Sequence, residues 1–143
     1  LDPTDHSLTL VVDDTSKPNG LCFSRDESQL FVNDSAYNHI RVFDVKSDGT
    51  VENGKLWAEL SPAGIGASDG MKFDQAGNLY CAVPGGIHVF TAGAIYLGII
   101  SMPEQTANFT WGDDDLCSLY ITATSTVYRL RTRVAGHLNF KLA

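Results

Sequence analysis

Three features of this sequence predict an all-β fold, and within that class a β-propeller of four-stranded antiparallel blades. One short phrase is written three times. It runs Gly20-Leu21-Cys22-Phe23-Ser24 to Leu30-Phe31-Val32-Asn33, then Gly70-Met71-Lys72-Phe73-Asp74 to Leu79-Tyr80-Cys81-Ala82, then Phe109-Thr110-Trp111-Gly112 to Leu119-Tyr120-Ile121-Thr122. Each copy is followed by a further strand-like run: His39–Phe43, Gly86–Phe90 and Thr126–Leu130. A period of roughly 40 to 50 residues with several short strands per unit is the pattern of propeller blades. Long amphipathic helical periodicity is absent. Propellers close with about four to eight blades, so the 143 residues, with about three repeats, predict a partial ring.

Taken in order, Leu8-Thr9-Leu10-Val11-Val12 reads as an outer strand (residues 7–13) without inner strands of its own. A first blade over 18–61, a second over 68–101 and a third over 107–143 follow. The tight turns between the first two strands of each blade are Ser24–Ser28, Asp74–Asn78 and Gly112–Asp115. Asp, Asn, Gly and Ser dominate them because their side chains bond the local backbone or tolerate φ > 0. Lys55–Leu60 and Tyr96–Ile100 are the outer strands of the first two blades. In the third, only Leu138–Leu142 remains for that role, in competition with Leu8–Val12 for the closing edge.

Composition bounds the function. The chain is 43% hydrophobic and 19% charged, with no low-complexity stretch, as in an ordinary globular domain. A formal net charge of −7 opposes binding to a phosphate backbone, so no nucleic acid is expected as a partner. No apolar run approaches the roughly 18 residues of a membrane span, and no leader-like segment opens the sequence; a cytoplasmic location and no membrane partner are expected. Cys22 and Cys81 fall in expected strands as small buried hydrophobes, and Cys117 falls in a turn.

In a propeller the first strand of each blade lines the central channel, and its N-terminal end opens on the ligand face. Asn19 and Asp69 occupy that position in the first two blades, and Ala107 or Asn108 in the third. A carboxylate and an amide oxygen converging on one axial point are hard donors, suited to Ca²⁺, Mg²⁺ or Mn²⁺ better than to Zn²⁺. Asn-Gly and Asp-Gly are also common turn dipeptides, so a purely local role stays open. Asp113-Asp114-Asp115 lies at the opposite end and reads as a solvated turn. His39 and His88, at the start and middle of third strands, read as packing or surface residues. No phosphate loop, nucleophile elbow or zinc-type spacing is present.

The segments Pro18-Asn19-Gly20-Leu21-Cys22-Phe23-Ser24 and Asp69-Gly70-Met71-Lys72-Phe73-Asp74 resemble two motifs of the gluconolactonase, regucalcin and luciferin-regenerating enzyme family. Leu30–Asp34, Gly77–Cys81, Gly85–Phe90, Leu119–Ala123 and Val127–Leu130 continue the resemblance in order, most closely to the bacterial sugar-lactonase branch. The resemblance implies a six-bladed propeller, of which this chain is the C-terminal half, with one divalent cation at the axis, most often Ca²⁺. It implies Asn19 as a metal ligand, Asp69 as metal ligand and catalytic general base, and Asn108 as a weaker substrate-binding candidate. The implied reaction is hydrolysis of a sugar lactone to an aldonic acid. Because two ligands are fewer than the family uses, activity is expected only if a second chain completes the ring, as in a homodimer or other self-association. The alternative is a non-catalytic propeller fragment acting as a binding or oligomerisation module.

Overall fold

The structure is a computed structural model that describes residue 4, residues 7–61, residue 64 and residues 66–138. Eleven strands form three antiparallel sheets among the described residues. The first sheet is β1 (Pro18–Phe23), β2 (Gln29–Asp34), β3 (His39–Val45) and β4 (Val51–Glu59), paired in chain order. The second is β5 (Met71–Phe73), β6 (Leu79–Val83), β7 (Gly86–Phe90) and β8 (Tyr96–Ser101). The third is β9 (Thr106–Gly112), β10 (Ser118–Ala123) and β11 (Val127–Arg131). Their first strands stand side by side, so the sheets stack as consecutive blades of a partial β-propeller. No helix among the described residues is long and apolar enough to cross a membrane.

The core lies between blades, because a central sheet must bury both faces. In β6 every residue is buried. Leu79, Cys81 and Val83 enter one cluster with Phe31, Ile40, Val42, Met71 and Phe73 at the first junction. Tyr80 and Ala82 point the other way, to Phe109, Trp111, Leu119 and Ile121 at the second. This is the period-two alternation of a strand, with apolar residues on both phases. Aromatic rings fix the geometry of each junction. Phe31 meets Phe73 edge-on at 5.0 Å and Trp57 at 5.2 Å, while Tyr80 meets Trp111 at 5.0 Å. Such pairs contribute about 0.5–1.5 kcal/mol beyond area burial.

The N-terminal end departs from the strand expected there. Residues 7–13 form no ladder; Val12 instead packs over Leu30, Val32 and Phe43 on the outer face of the first sheet, and Asp14 pairs with Arg41 at 2.5 Å. Contact through side chains on a face replaces backbone pairing at an edge. After β11 the chain crosses beneath the second sheet, where Gly136 bridges to Asp74 and His137 N–H donates to Phe73 O at 3.0 Å. Gly136 is required there, since a Cβ would run into the Trp111 ring. Leu138 is in no strand, and residues 139–143 of the expected closing segment lie outside the described residues.

The cysteines, Cys22, Cys81 and Cys117, are free thiols. Burial pushes the Cys81 thiol up to about 12, so it is an inert packing group. His39 opens β3 and His88 lies mid-β7, away from the inner strands. Asp113 is tied into the third blade's turn, accepting from Ser118 Oγ and from Tyr120 Oη, the latter at 2.9 Å.

Candidate functional site

The inner strands begin irregularly. In β1, Pro18 pairs with Asp34 and Leu21 with Val32, so Asn19 and Gly20 together face the single residue Asn33. At the second blade, Asp69 N–H donates to Ala82 O and Ala82 N–H to Gly70 O, both at 2.9 Å, so two residues again oppose one. In β9, Asn108 pairs with Thr122 and Thr106 with Ala123, leaving Ala107 unpaired. Bulges of this kind re-aim side chains and are common beside functional sites. Here each one falls at the residue that sequence reasoning placed at the channel mouth.

These starts lie against one another. A Cβ on Gly20 would overlap Asp69 O, and one on Gly70 would overlap Asn108 Oδ1. Glycine is needed at both positions for close approach rather than for its φ. Asn19 is exposed, and its Nδ2 donates to Ser68 O at 2.9 Å; that same carbonyl accepts from Ser35 Oγ at 2.8 Å. With the amide nitrogen so engaged, Oδ1 is the group Asn19 has left to offer a ligand. Asp69 is half-buried. Burial pushes its carboxyl above the usual range, opposed in part by the Gly70 backbone N–H. Asn108 is exposed, and its Oδ1 already accepts its neighbour Phe109 N–H at 2.8 Å, which weakens it as an oxygen donor. Ala107 joins by its backbone alone, its carbonyl accepting Gly70 N–H at 2.9 Å.

The structure therefore brings Asn19, Asp69 and Asn108 onto adjoining strand ends and leaves Asp113–Asp115 and the histidines elsewhere. The donor chemistry at these ends, one carboxylate and amide oxygens, fits part of the shell of a hard divalent cation, which takes six to eight oxygens when it is calcium. No group of three or more His, Cys, Asp or Glu side chains that could by themselves hold a metal ion gathers among the described residues.

Two buried residues of the site escaped sequence reasoning. Asn33 Oδ1 accepts Gly20 N–H at 3.0 Å, and its Nδ2 donates to Asp69 O at 2.6 Å. Asp34 gathers the N–H groups of Ser16, Lys17 and Ala36 at 2.6, 3.0 and 2.9 Å, clamping the approach to Asn19. The available signal was polar side chains ending a strand otherwise made of Leu, Phe and Val, where Asn and Asp have poor strand propensity.

Comparison with known proteins agrees with this architecture. The gluconolactonase of Zymomonas mobilis is 36% identical over 141 residues, a match covering 92% of this chain and 39% of that protein. A gluconolactonase structure from Xanthomonas campestris shares 30% identity with a TM-score of 0.74, covering 83% of this chain and 39% of the other. A presumed gluconolactonase solved as a structural-genomics target superimposes with a TM-score of 0.84 at 27% identity, over 95% of this chain and 46% of the other. The chain thus spans about two fifths of the length of the curated relatives it matches. Residues 1–125 match the family described as SMP-30/Gluconolactonase/LRE-like region. Since that match runs through Asn19, Asp69 and the inner strands of all three sheets, the chain belongs to the SMP-30/gluconolactonase/LRE-like family.

Proposed function

We propose that this chain supplies one wall of a divalent-metal-dependent lactone hydrolase acting on sugar lactones, with the ring completed by a second chain. The observation that carries the reading is the abutment of the Asn19 and Asp69 strand ends, with Gly20 packed directly on Asp69 O. Asn19 Oδ1 and the Asp69 carboxylate would hold the ion, Ca²⁺ before Mg²⁺ or Mn²⁺. When bound, the ion supplies Lewis-acid polarisation of the lactone carbonyl and acidifies water. Asp69 itself accepts the proton of the attacking water at a carboxylate oxygen, a role typically worth about 10²–10⁴-fold. Its raised proton affinity moves it toward the working range of a general base. The relatives support the substrate class: one is named a gluconolactonase and another, from Haloferax volcanii, a pentonolactonase.

Ring completion draws support from the flanks. On the outer face of the first sheet Leu21, Phe23 and Leu56 are 60%, 37% and 54% exposed, a surface suited to another blade. Two copies about a two-fold axis along the channel would set this face against the third sheet's outer face, where Val127 is 67% exposed. The same flanks motivate a second reading, a non-catalytic module that binds or oligomerises through them.

Light scattering coupled to size exclusion, with and without calcium, separates the two, alongside gluconolactone hydrolysis by wild type and Asp69→Ala. A calcium-strengthened oligomer whose hydrolysis falls at least about a hundredfold in Asp69→Ala supports the lactonase. A calcium-indifferent species without hydrolysis supports the module.

A further inference from the structure

Asn33 is the residue at which the first two repeats diverge most consequentially. In the repeated phrase it stands where Ala82 stands in the second copy and Thr122 in the third. It is fully buried, and every polar atom of its side chain is used. Oδ1 takes the Gly20 N–H that the β1 bulge removes from the ladder, and Nδ2 reaches across the blade junction to Asp69 O, with Cys81 Sγ at 3.6 Å. One planar amide therefore joins the backbone beside Asn19 to the backbone of Asp69. At the next junction the corresponding glycine N–H needs no bridging amide, because Gly70 N–H donates directly to Ala107 O.

We infer that Asn33 is a positioning residue that fixes the separation and relative orientation of Asn19 and Asp69. This rests on the reading of those two residues as ligands of a divalent cation. An amide is suited to the task because its donor nitrogen and acceptor oxygen are held at a fixed angle within one rigid plane. Asp at this position would still accept from Gly20 but would set a carboxylate oxygen against Asp69 O. Ala would leave both backbone groups without their partner. Groups that orient metal ligands typically cost about 10–100-fold in affinity when removed. The predicted signature is loss of ion affinity beyond anything the loss of fold stability explains.

The test is calcium titration by calorimetry, with thermal unfolding of the calcium-free protein, for wild type, Asn33→Ala, Asn33→Asp and Leu119→Ala. Leu119 is fully buried at the second junction, paired with Trp111 and Leu130 and not with Asn33 or the heads of β1 and β5, so its truncation controls for destabilisation. The expected result is calcium affinity at least about tenfold weaker in both Asn33 variants, and unchanged in Leu119→Ala despite an equal or larger fall in melting temperature. Wild-type affinity in the Asn33 variants, while Asp69→Ala abolishes binding, would overturn the positioning role and leave the metal reading standing. Absence of calcium binding by wild type would overturn both.

Discussion

The two blade junctions are built from one sequence phrase and closed by different chemistry. At both, a glycine at the head of an inner strand lets the next blade approach. At the first, Gly20 meets main chain: Asp69 O sits where a methyl group would have to stand, and the amide of Asn33 bridges the gap. At the second, Gly70 meets a side-chain end, Asn108 Oδ1, and a direct backbone bond does the joining. The difference teaches that the repeat keeps a spacing and not a contact. The junction carrying the charged candidate ligand is the one braced by a side chain, and that bracing makes it the less forgiving of the two.

The sharpest way to break this contrast is to add one methyl at each glycine. In Gly20→Ala the new Cβ can escape Asp69 O only if two backbones separate, which also stretches both Asn33 hydrogen bonds. A loss above about 3 kcal/mol is expected, at the upper end of overpacking costs. Gly70→Ala asks only that the Asn108 amide rotate away, with Asn108 Cα at 3.1 Å limiting the relief, so about 1–3 kcal/mol is expected. Urea unfolding of both variants decides the matter. Equal losses would mean that the two junctions yield alike, and the asymmetry would be void.

How much of this was legible in advance follows from which interactions are periodic. Strands, turns and the order of blades were readable because alternation and turn residues recur at each repeat, and β2, β6 and β10 fall where Leu30, Leu79 and Leu119 open their runs. The residues at the channel mouth were readable as positions, from Asn19-Gly20 and Asp69-Gly70. The bulges and the Asn33 bridge were not, because they depend on which atom of a neighbouring blade fills one unpaired backbone group. No spacing within a repeat encodes that. The N-terminal strand misled for a related reason: Leu8–Val12 has strand composition, yet Val12 is used to cover a face.

A milder probe uses pH at the outer end of the first junction. His88 is 4% exposed, its Nδ1 has no partner, and its ring lies 5.0 Å from that of Tyr96. Burial lowers its proton affinity below the usual histidine value. The unfolded chain therefore binds the proton first on acidification. The stability contributed by neutral His88 is complete above the unfolded value near 6.5 and is lost as pH falls below it toward the folded value. Tyr96 and Glu59 line the same hollow, and Glu59 is exposed to solvent. His88→Phe is expected to flatten the fall of thermal stability on acidification below about pH 6.5. An unchanged slope would move the acid-sensitive group elsewhere and make the two junctions alike in this respect.

The smallest expected effect is at Asp69 itself. Burial raises its carboxyl above the ordinary value, so in the folded protein without metal ionisation costs more than in the unfolded chain. The unfolded chain gives up its proton near the ordinary carboxyl value of 3.8, before the folded chain does, and stability is therefore lost as pH rises through that window. Removing the charge with Asp69→Asn should raise the melting temperature of the metal-free protein near pH 7 and leave it unchanged near pH 3. Partial exposure lets solvent screen the penalty, which keeps the gain small. Calcium reverses the ranking, because an ion held by the carboxylate stabilises wild type by mass action and the amide variant far less. The first junction then behaves as a strained support when empty and a stabilised one when filled, whereas the second, joined through Gly70 and Ala107 backbone, should be indifferent to both pH and calcium. Asp69→Asn melting below wild type without calcium would show that the carboxylate already has a stabilising partner in the folded chain.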